Sequence, residues 1–312
     1  MRKPIVVVGS ISMDMVTSTP RIPVVGETVI GTSFATTPGG KGANQAVAVG
    51  RLGYPVHMVG KVGTDGYGQP LLDGLAEAGV SIESMGRFEG SSGLAPIFLA
   101  ANGQNAIVIV QGANADVDRA HIDRHAELIR GAGIVLCQLE LPQETTLYTI
   151  QLCAEAGVPV MLDPAPAAPL PDAVFGQIAW FTPNETEAAL YVGSGLSAED
   201  AAQKLLDKGL KGVVLKRGAE GAYVAVAGGK AEWVPAFKVE AIDTVAAGDC
   251  FNGSFAVALM EGKAPWEAAR FACAASAISV TRRGAQASMP GRDEVEGFLK
   301  ERAARTSSAA DA

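Results

Sequence analysis

Residues 38–63, PGGKGANQAVAVGRLGYPVHMVGKVG, change their hydrophobic period half-way along. In the first part Ala43, Ala46, Val47 and Gly50 recur at i, i+3, i+4 and i+7. This predicts a helix starting near residue 42, with Gly53 and Pro55 as its stop. The last eight residues, VHMVGKVG, are a short, nearly continuous apolar run, as expected of a strand buried on both faces. Similar runs return at IVVVG (5–9), IVLCQLE (134–140), VPVMLDP (158–164), IAWFTPN (178–184) and GVVLKRG (212–218), separated by Ala-rich amphipathic stretches. The alternation predicts an α/β fold with a mostly parallel sheet covered by helices on both faces. Ligands of such sheets bind beyond the carboxyl ends of the strands, where Asp14, Glu140, Asp163, Asn184 and Lys216 fall.

Two segments break the alternation. GETVIGTSF (26–34) and GLAPIFLAANGQNAIVIVQGAN (93–114) read as strands joined by turns, the second with Asn102-Gly103 at its tip. They predict a small β appendage, whose apolar residues need the core, a ligand or a second subunit as partner. The expected division is a core of residues 1–12, 35–92 and 112–302, an appendage of 13–34 and 93–111, and a disordered tail, AARTSSAADA, over 303–312.

The 312 residues are 48% hydrophobic and carry a net charge of −8, with acidic and basic residues interspersed. Neither a nucleic-acid footprint nor a membrane-attracting basic face is visible. Cys137, Cys153, Cys250 and Cys273 form no C-x-x-C pair and have no zinc-ligand spacing with His57, His121 and His125, so they read as reduced, buried thiols. The apolar run after the N-terminus stops at Val8, too short for a signal peptide, and no run approaches a membrane span. A cytoplasmic protein is expected.

Four motifs could carry chemistry. Gly39-Gly40 lets backbone approach a ligand closely and sets Lys41 and Asn44 on the first turn of a helix, although a glycine turn entering a packed helix explains as much. It is not a Walker A loop, because Gly42 stands where Ser or Thr is required. In TPNETEA (182–188), Thr182, Pro183 and Glu185 read as a capping box, which leaves Asn184 and Glu187 free to address phosphate or Mg²⁺-bound water. LKRGAEGAY (215–223) contains a G-x-x-G turn between strands, a weak signal by itself. In AIDTVAAGDCFNGSFAVALMEG (241–262), Gly248 allows a turn into a helix, so the amides of Ala246, Ala247 and Gly248 would converge on an anion site. Asp249 beside that site could be a first-turn carboxylate favourable to the helix dipole. It could equally be the base that phosphoryl transfer needs.

Taken together and in this order, GGKGANQA, TPNETEA, DTVAAGDCFNG and TRRGAQASMP resemble the ribokinase (PfkB-type) family of carbohydrate kinases over nearly the whole chain, and the first motif points to its ribokinase rather than fructokinase branch. The resemblance implies a Rossmann-like core with a small β lid, and a homodimer clasped through the lids. It implies transfer of the γ-phosphoryl of Mg-ATP to the 5-hydroxyl of D-ribose, with Asp249 as general base and Ala246, Ala247 and Gly248 as anion hole. Ser12, Asp14, Gly40, Lys41, Asn44 and Glu140 match the sugar contacts. Asn184, Glu187, Lys216, Gly218, Gly221, Gly248, Asn252 and Cys273 match the nucleotide and Mg²⁺ end. Asp243, Val245, Ser279, Arg282, Gly284 and Ser288 match the surroundings of a monovalent cation, usually potassium. Ser12 replaces the usual Asn, which makes 2-deoxyribose or another small sugar or nucleoside the alternative acceptor; Lys216, Cys273 and Ser279 are further departures. A non-catalytic sugar sensor would be expected to lack Asp249, and a nicotinamide-dependent dehydrogenase would need a G-x-G-x-x-G that VVVGSISMD lacks.

Overall fold

The computed structural model describes residues 2–310. Its strands are β1 (Ile5–Val8), β2 (Ser12–Thr19), β3 (Ser33–Gly39), β4 (Val56–Gly63), β5 (Met85–Phe88), β6 (Gly93–Ala100), β7 (Asn105–Ile107), β8 (Ile134–Cys137), β9 (Val160–Leu162), β10 (Trp180–Phe181), β11 (Gly212–Lys216), β12 (Gly221–Val226) and β13 (Ala231–Pro235). The helices are α1 (Lys41–Arg51), α2 (Gly68–Glu77), α3 (Arg119–Arg124), α4 (Ala126–Gly131), α5 (Gln143–Ala156), α6 (Asp172–Phe175), α7 (Glu185–Val192), α8 (Ala198–Asp207), α9 (Ala247–Met260), α10 (Pro265–Ser279) and α11 (Arg292–Ala310).

Nine strands form one sheet in the order β13-β12-β11-β10-β9-β8-β1-β4-β5, parallel except where β12 pairs with its two neighbours. Every predicted continuous apolar run lies in it, because each strand must bury both faces. In β1, Ile5 and Val7 join a core with α1, α2, α9 and α10, while Val6 and Val8 join a second core with α3 to α8. The connection from β1 leads to β4 on one side, and the later strand β8 lies on the other. That reversal opens a crevice at the carboxyl end of β1.

The appendage is a second sheet, β3-β2-β6-β7. Its turn lies at the expected Asn102-Gly103, where Gly103 has φ 85°. Its limits differ from those expected. Residues 26–32 are not a strand, whereas β3 runs to Gly39 and pairs with β2 up to Ser12, so residues 35–39 belong to the small sheet. The small sheet is tied to the core by Asn114, whose side chain accepts from Ile11 N at 3.0 Å and donates to Ile11 O at 2.9 Å. That side chain supplies both ladder bonds of an absent strand at the point where β1 gives way to β2. The tail expected to be disordered is helical as far as Ala310, for it is rich in Ala and has no Gly or Pro to stop α11; residues 311–312 lie outside the described residues.

Helices α1 and α9 approach closely where it matters for the crevice. A Cβ on Gly253 would lie 2.7 Å from the Ala48 Cβ and 2.7 Å from the Gln45 carbonyl oxygen. Gly253→Ala must therefore push α9 away from α1, and should cost about 1–3 kcal/mol in urea unfolding. Gly74, inside α2 with open space beside it, provides the contrast: Gly74→Ala should leave stability unchanged or raise it by up to about 1 kcal/mol. Equal effects at both positions would show that the α1–α9 contact is not tight.

Candidate active site

Gly9 and Ser10 follow β1 into the crevice, and α1 begins directly over them. A Cβ on Gly42 would lie 2.6 Å from the Gly9 carbonyl carbon, so only glycine permits the approach. Gly40, at φ 88°, is the residue before the helix. Its side chain being absent, α1 takes its cap from elsewhere: Glu140, beyond β8, accepts from Lys41 N at 3.0 Å and from Ser10 Oγ at 2.5 Å, both through Oε2.

Asp249 lies on the first turn of α9, facing α1 and only 5% exposed. Its Oδ2 accepts from Asn44 Nδ2 at 3.0 Å and its Oδ1 from Gln45 Nε2 at 3.2 Å. Burial pushes its carboxyl up to about 6; Lys41 opposes that rise, Asp163 adds to it, and the two amides oppose it. Lys41 is itself buried, which disfavours its charge, but Asp249, Asp163, Glu140 and Glu187 together hold its pKa above the ordinary lysine value. Asp163, 2% exposed beyond β9, pairs with Lys216 Nζ at 3.0 Å and accepts from Gln45 Nε2 at 3.0 Å. Asp14, at the root of the small sheet, is also pushed to about 6, chiefly by burial, with the hydroxyl of Ser12 opposing at 3.4 Å and Glu140 and Asp249 adding.

The start of α9 differs from the expectation in two details. The left-handed residue is Ala246, at φ 58°, not Gly248. Non-glycine residues adopt that conformation at a cost of roughly 1–2 kcal/mol. Gly248 is helical, and a Cβ there would meet only Lys216 Nζ, at an ordinary contact distance of 3.5 Å, so neither backbone nor space demands glycine. The Ala247 amide is also not free, because it donates to the Thr244 carbonyl at 3.2 Å. Cys250 makes the first α-helical bond, to Ala246 O, while the amides of Ala246, Gly248 and Asp249 have no backbone acceptor among the described residues. Of the three expected donors only Ala247 is thus taken, and Asp249 adds another.

From this point a cleft of about 840 Å³ extends over the sheet edge. Lys41, Asn184, Glu187, Lys216, Gly218, Gly221, Ala246, Ala247, Gly248, Asp249 and Cys273 all line it. Asn252 does not: it is fully buried one turn deeper in α9. Asp163, Phe237, Thr244 and Ser276 line the cleft as well; Thr244 lies within DTVAAGDCFNG, and no local pattern marks Phe237 or Ser276. The capping box lies two residues beyond its expected place. Asn184 is the cap, its Oδ1 accepting from Glu187 N at 2.8 Å while the Glu187 carboxylate accepts from Asn184 N at 2.8 Å and Nδ2 at 2.9 Å. Burial raises the Glu187 pKa, with Asp163 adding and Lys216 among the groups opposing. In the G-x-x-G turn, Gly218 takes φ 52° and Gly221 has no room for a Cβ, which would lie 2.1 Å from Val234 O. All four cysteines are free and buried, and burial pushes the thiols of Cys153, Cys250 and Cys273 up to about 12.

Behind α9, Asp243 joins the two loops of the expected cation site. It accepts from Val245 N at 3.0 Å and from Gly284 N at 2.9 Å. Ser279 and Ser288 bond each other through their buried hydroxyls at 2.8 Å, and the Arg282 side chain turns away to Glu294. Among the described residues no group of three or more His, Cys, Asp or Glu could hold a metal ion, and no helix is long and apolar enough to cross a membrane.

The pfkB family carbohydrate kinase model matches residues 2–292. The chain is 44% identical over 296 residues to the ribokinase of Bacillus subtilis, covering 95% of this chain and 99% of that protein. A more distant relative, the deoxyribokinase of Salmonella typhi, is 36% identical over 301 residues, covering 95% and 98%. The solved structure of Arabidopsis thaliana ribokinase complexed with ribose and ATP superposes with a TM-score of 0.90 at 35% identity, covering 96% of this chain and 99% of that one. With its sheet order, its lid and its buried acid at a helix N-terminus in place, the chain belongs to the pfkB family of carbohydrate kinases.

Proposed function

We propose that the protein is an ATP-dependent ribokinase, phosphorylating the 5-hydroxyl of D-ribose. The observation that carries this reading is Asp249, a buried carboxylate whose pKa sits near 6, set against open helix amides and Lys216 at the inner end of the cleft. ATP lies along the cleft with its γ-phosphate toward Gly248 and Asp249. Ribose lies on the other side of Asp249, among Ser12, Asp14, Gly40, Lys41, Asn44 and Glu140. These acid, amide and ammonium groups suit paired hydrogen bonds to a polyhydroxyl ring. Asp249 accepts the proton of the 5-hydroxyl as that oxygen bonds to the γ-phosphorus; the bond from the γ-phosphorus to its bridging oxygen breaks, and ADP leaves with the electron pair. The first-turn amides of α9 and the ammonium of Lys216 receive the charge of the transferring group.

Mg²⁺, when bound, would neutralise charge across the phosphates. Glu187 and Asn184, fixed at the cleft wall by their capping box, would hold it through the lone pairs that box leaves free. The residues around Asp243 fit a monovalent cation held largely by backbone: both Asp243 oxygens are taken by amides, which clamps the loops at Val245 and Gly284 together. We place the activity in the cytoplasm, in keeping with the four free cysteines.

Asp249→Asn should fold and lose about 10²- to 10⁴-fold in kcat with ribose and Mg-ATP, measured as ADP release. Below about pH 6 Asp249 holds a proton and cannot accept another, so the wild-type rate should rise with pH through that value; replacing potassium with a choline salt should lower it. Near-wild-type turnover by Asp249→Asn would remove the base from its assigned role.

Ser12 supports a second acceptor. Its short side chain, 3.4 Å from Asp14, reaches less far than an amide would, so a sugar lacking one hydroxyl loses less here. The ratio of kcat/KM for ribose over 2-deoxyribose should increase in Ser12→Asn; an unchanged ratio would take residue 12 out of the discrimination.

The lid leaves Ile30 (87%), Phe34 (60%) and Ile107 (51%) exposed, more apolar surface than a lone small sheet needs. We assign this surface to a homodimer clasped lid to lid. Sedimentation should give twice the chain mass, and Phe34→Glu combined with Ile107→Glu should halve it. A monomeric wild type would refute the clasp.

A further inference from the structure

Gln45 follows Asn44 on α1 and is almost fully buried. Its amino group donates to two carboxylates at once, Asp249 Oδ1 at 3.2 Å and Asp163 Oδ2 at 3.0 Å. Its carbonyl oxygen accepts from Gln138 Nε2 at 2.8 Å. Rotating the amide by half a turn would set its oxygen against both carboxylates and its amino group against that of Gln138, so the surroundings admit one orientation.

We propose that Gln45 is a positioning residue for phosphoryl transfer: directed by Gln138, it shares its amino group between Asp249 and Asp163 and so keeps the base ionised and aimed. The inference rests on the reading of Asp249 as the base. Two carboxylates in one buried pocket cannot both stay charged without compensation, and one of them would keep its proton. Asp163 has Lys216 at 3.0 Å. Asp249 has no ion-pair partner within 4 Å among the described residues, and the charges that face it are Lys41 on α1, Asp163 beyond β9, Asp14 on β2 and Lys216 at the end of β11. Without Gln45, Asp249 is therefore the carboxylate that takes up the proton. Through Asp163, the same amide ties the base to Lys216 and hence to the phosphate end of the cleft.

The test is the pH profile of kcat/KM for ribose in wild type, Gln45→Leu and Gln138→Leu, each checked for a melting temperature near wild type. Loss of a hydrogen bond to a charged group should move the acid limb of Gln45→Leu upward by about one pH unit or more. Its kcat at pH 7 should fall several-fold, with KM for ATP little changed. Gln138→Leu, which leaves both carboxylates and Gln45 in place, should move the limb the same way by less. If Gln45→Leu does not fold, Gln138→Leu alone decides. A folded variant with an unmoved acid limb would overturn the inference, while Asp249→Asn, run in parallel and inactive, would show that the base reading still stands. An active Asp249→Asn would instead remove the reading on which the inference rests.

Discussion

A carboxylate removed from water must be compensated or it takes a proton. Asp249 is compensated by amide donors rather than by a contacting ammonium, and much of the surrounding structure follows from that. Both donors come from consecutive residues of α1, so α1 must run close beside α9. That closeness requires Gly253 at the crossing and Gly42 where α1 meets the end of β1. Glu140 then caps α1 from a neighbouring strand, because Gly40 has no side chain to do so. The raised pKa of Asp249, about 6, is the product of these constraints: burial raises it, and Lys41 with the two amides keeps it from rising further.

The two lysines of the crevice meet their carboxylates in different ways. Lys216 rests in a direct ion pair with Asp163, whereas Lys41 has several carboxylates around it. Both cations thus already face carboxylates, in a chain that carries a net charge of −8. Attraction of a polyphosphate to this cleft would have to be local, from Lys41, Lys216 and the N-terminus of α9, since a net charge of −8 opposes it.

Much of this was legible in sequence because it depends on short-range pattern. Continuous apolar runs located the strands of the large sheet from IVVVG to GVVLKRG, since a strand covered on both faces must be apolar throughout. Asn102-Gly103 located the hairpin of the lid. The helix cap at Asn184 was missed because Thr182 and Glu185 offered the same spacing two residues earlier, and only the end of β10 decides between them. Residues 35–39 looked like an approach to α1; their pairing with β2 is a long-range fact that no local period reports. The turn into α9 is read at Gly248 rather than Ala246 because left-handed backbone is normally a glycine property. Gln45, though inside GGKGANQA, and Gln138 had no role readable locally, since Gln45 meets carboxylates more than one hundred residues distant in sequence and Gln138 meets Gln45.

Asn114 gives the lid a defined axis. The side chain occupies both backbone groups of Ile11, and Gly93, at the root of β6, has no space for a Cβ, which would lie 2.3 Å from Asn114 Nδ2. The two strands by which the lid leaves the core are therefore pinned side by side at one polar rivet. A rigid rotation of the small sheet about that rivet would displace each residue in proportion to its distance along β2 and β6. Ser12 and Asp14, beside it, would keep their place relative to Asp249 while the loops at the far end swept the widest arc.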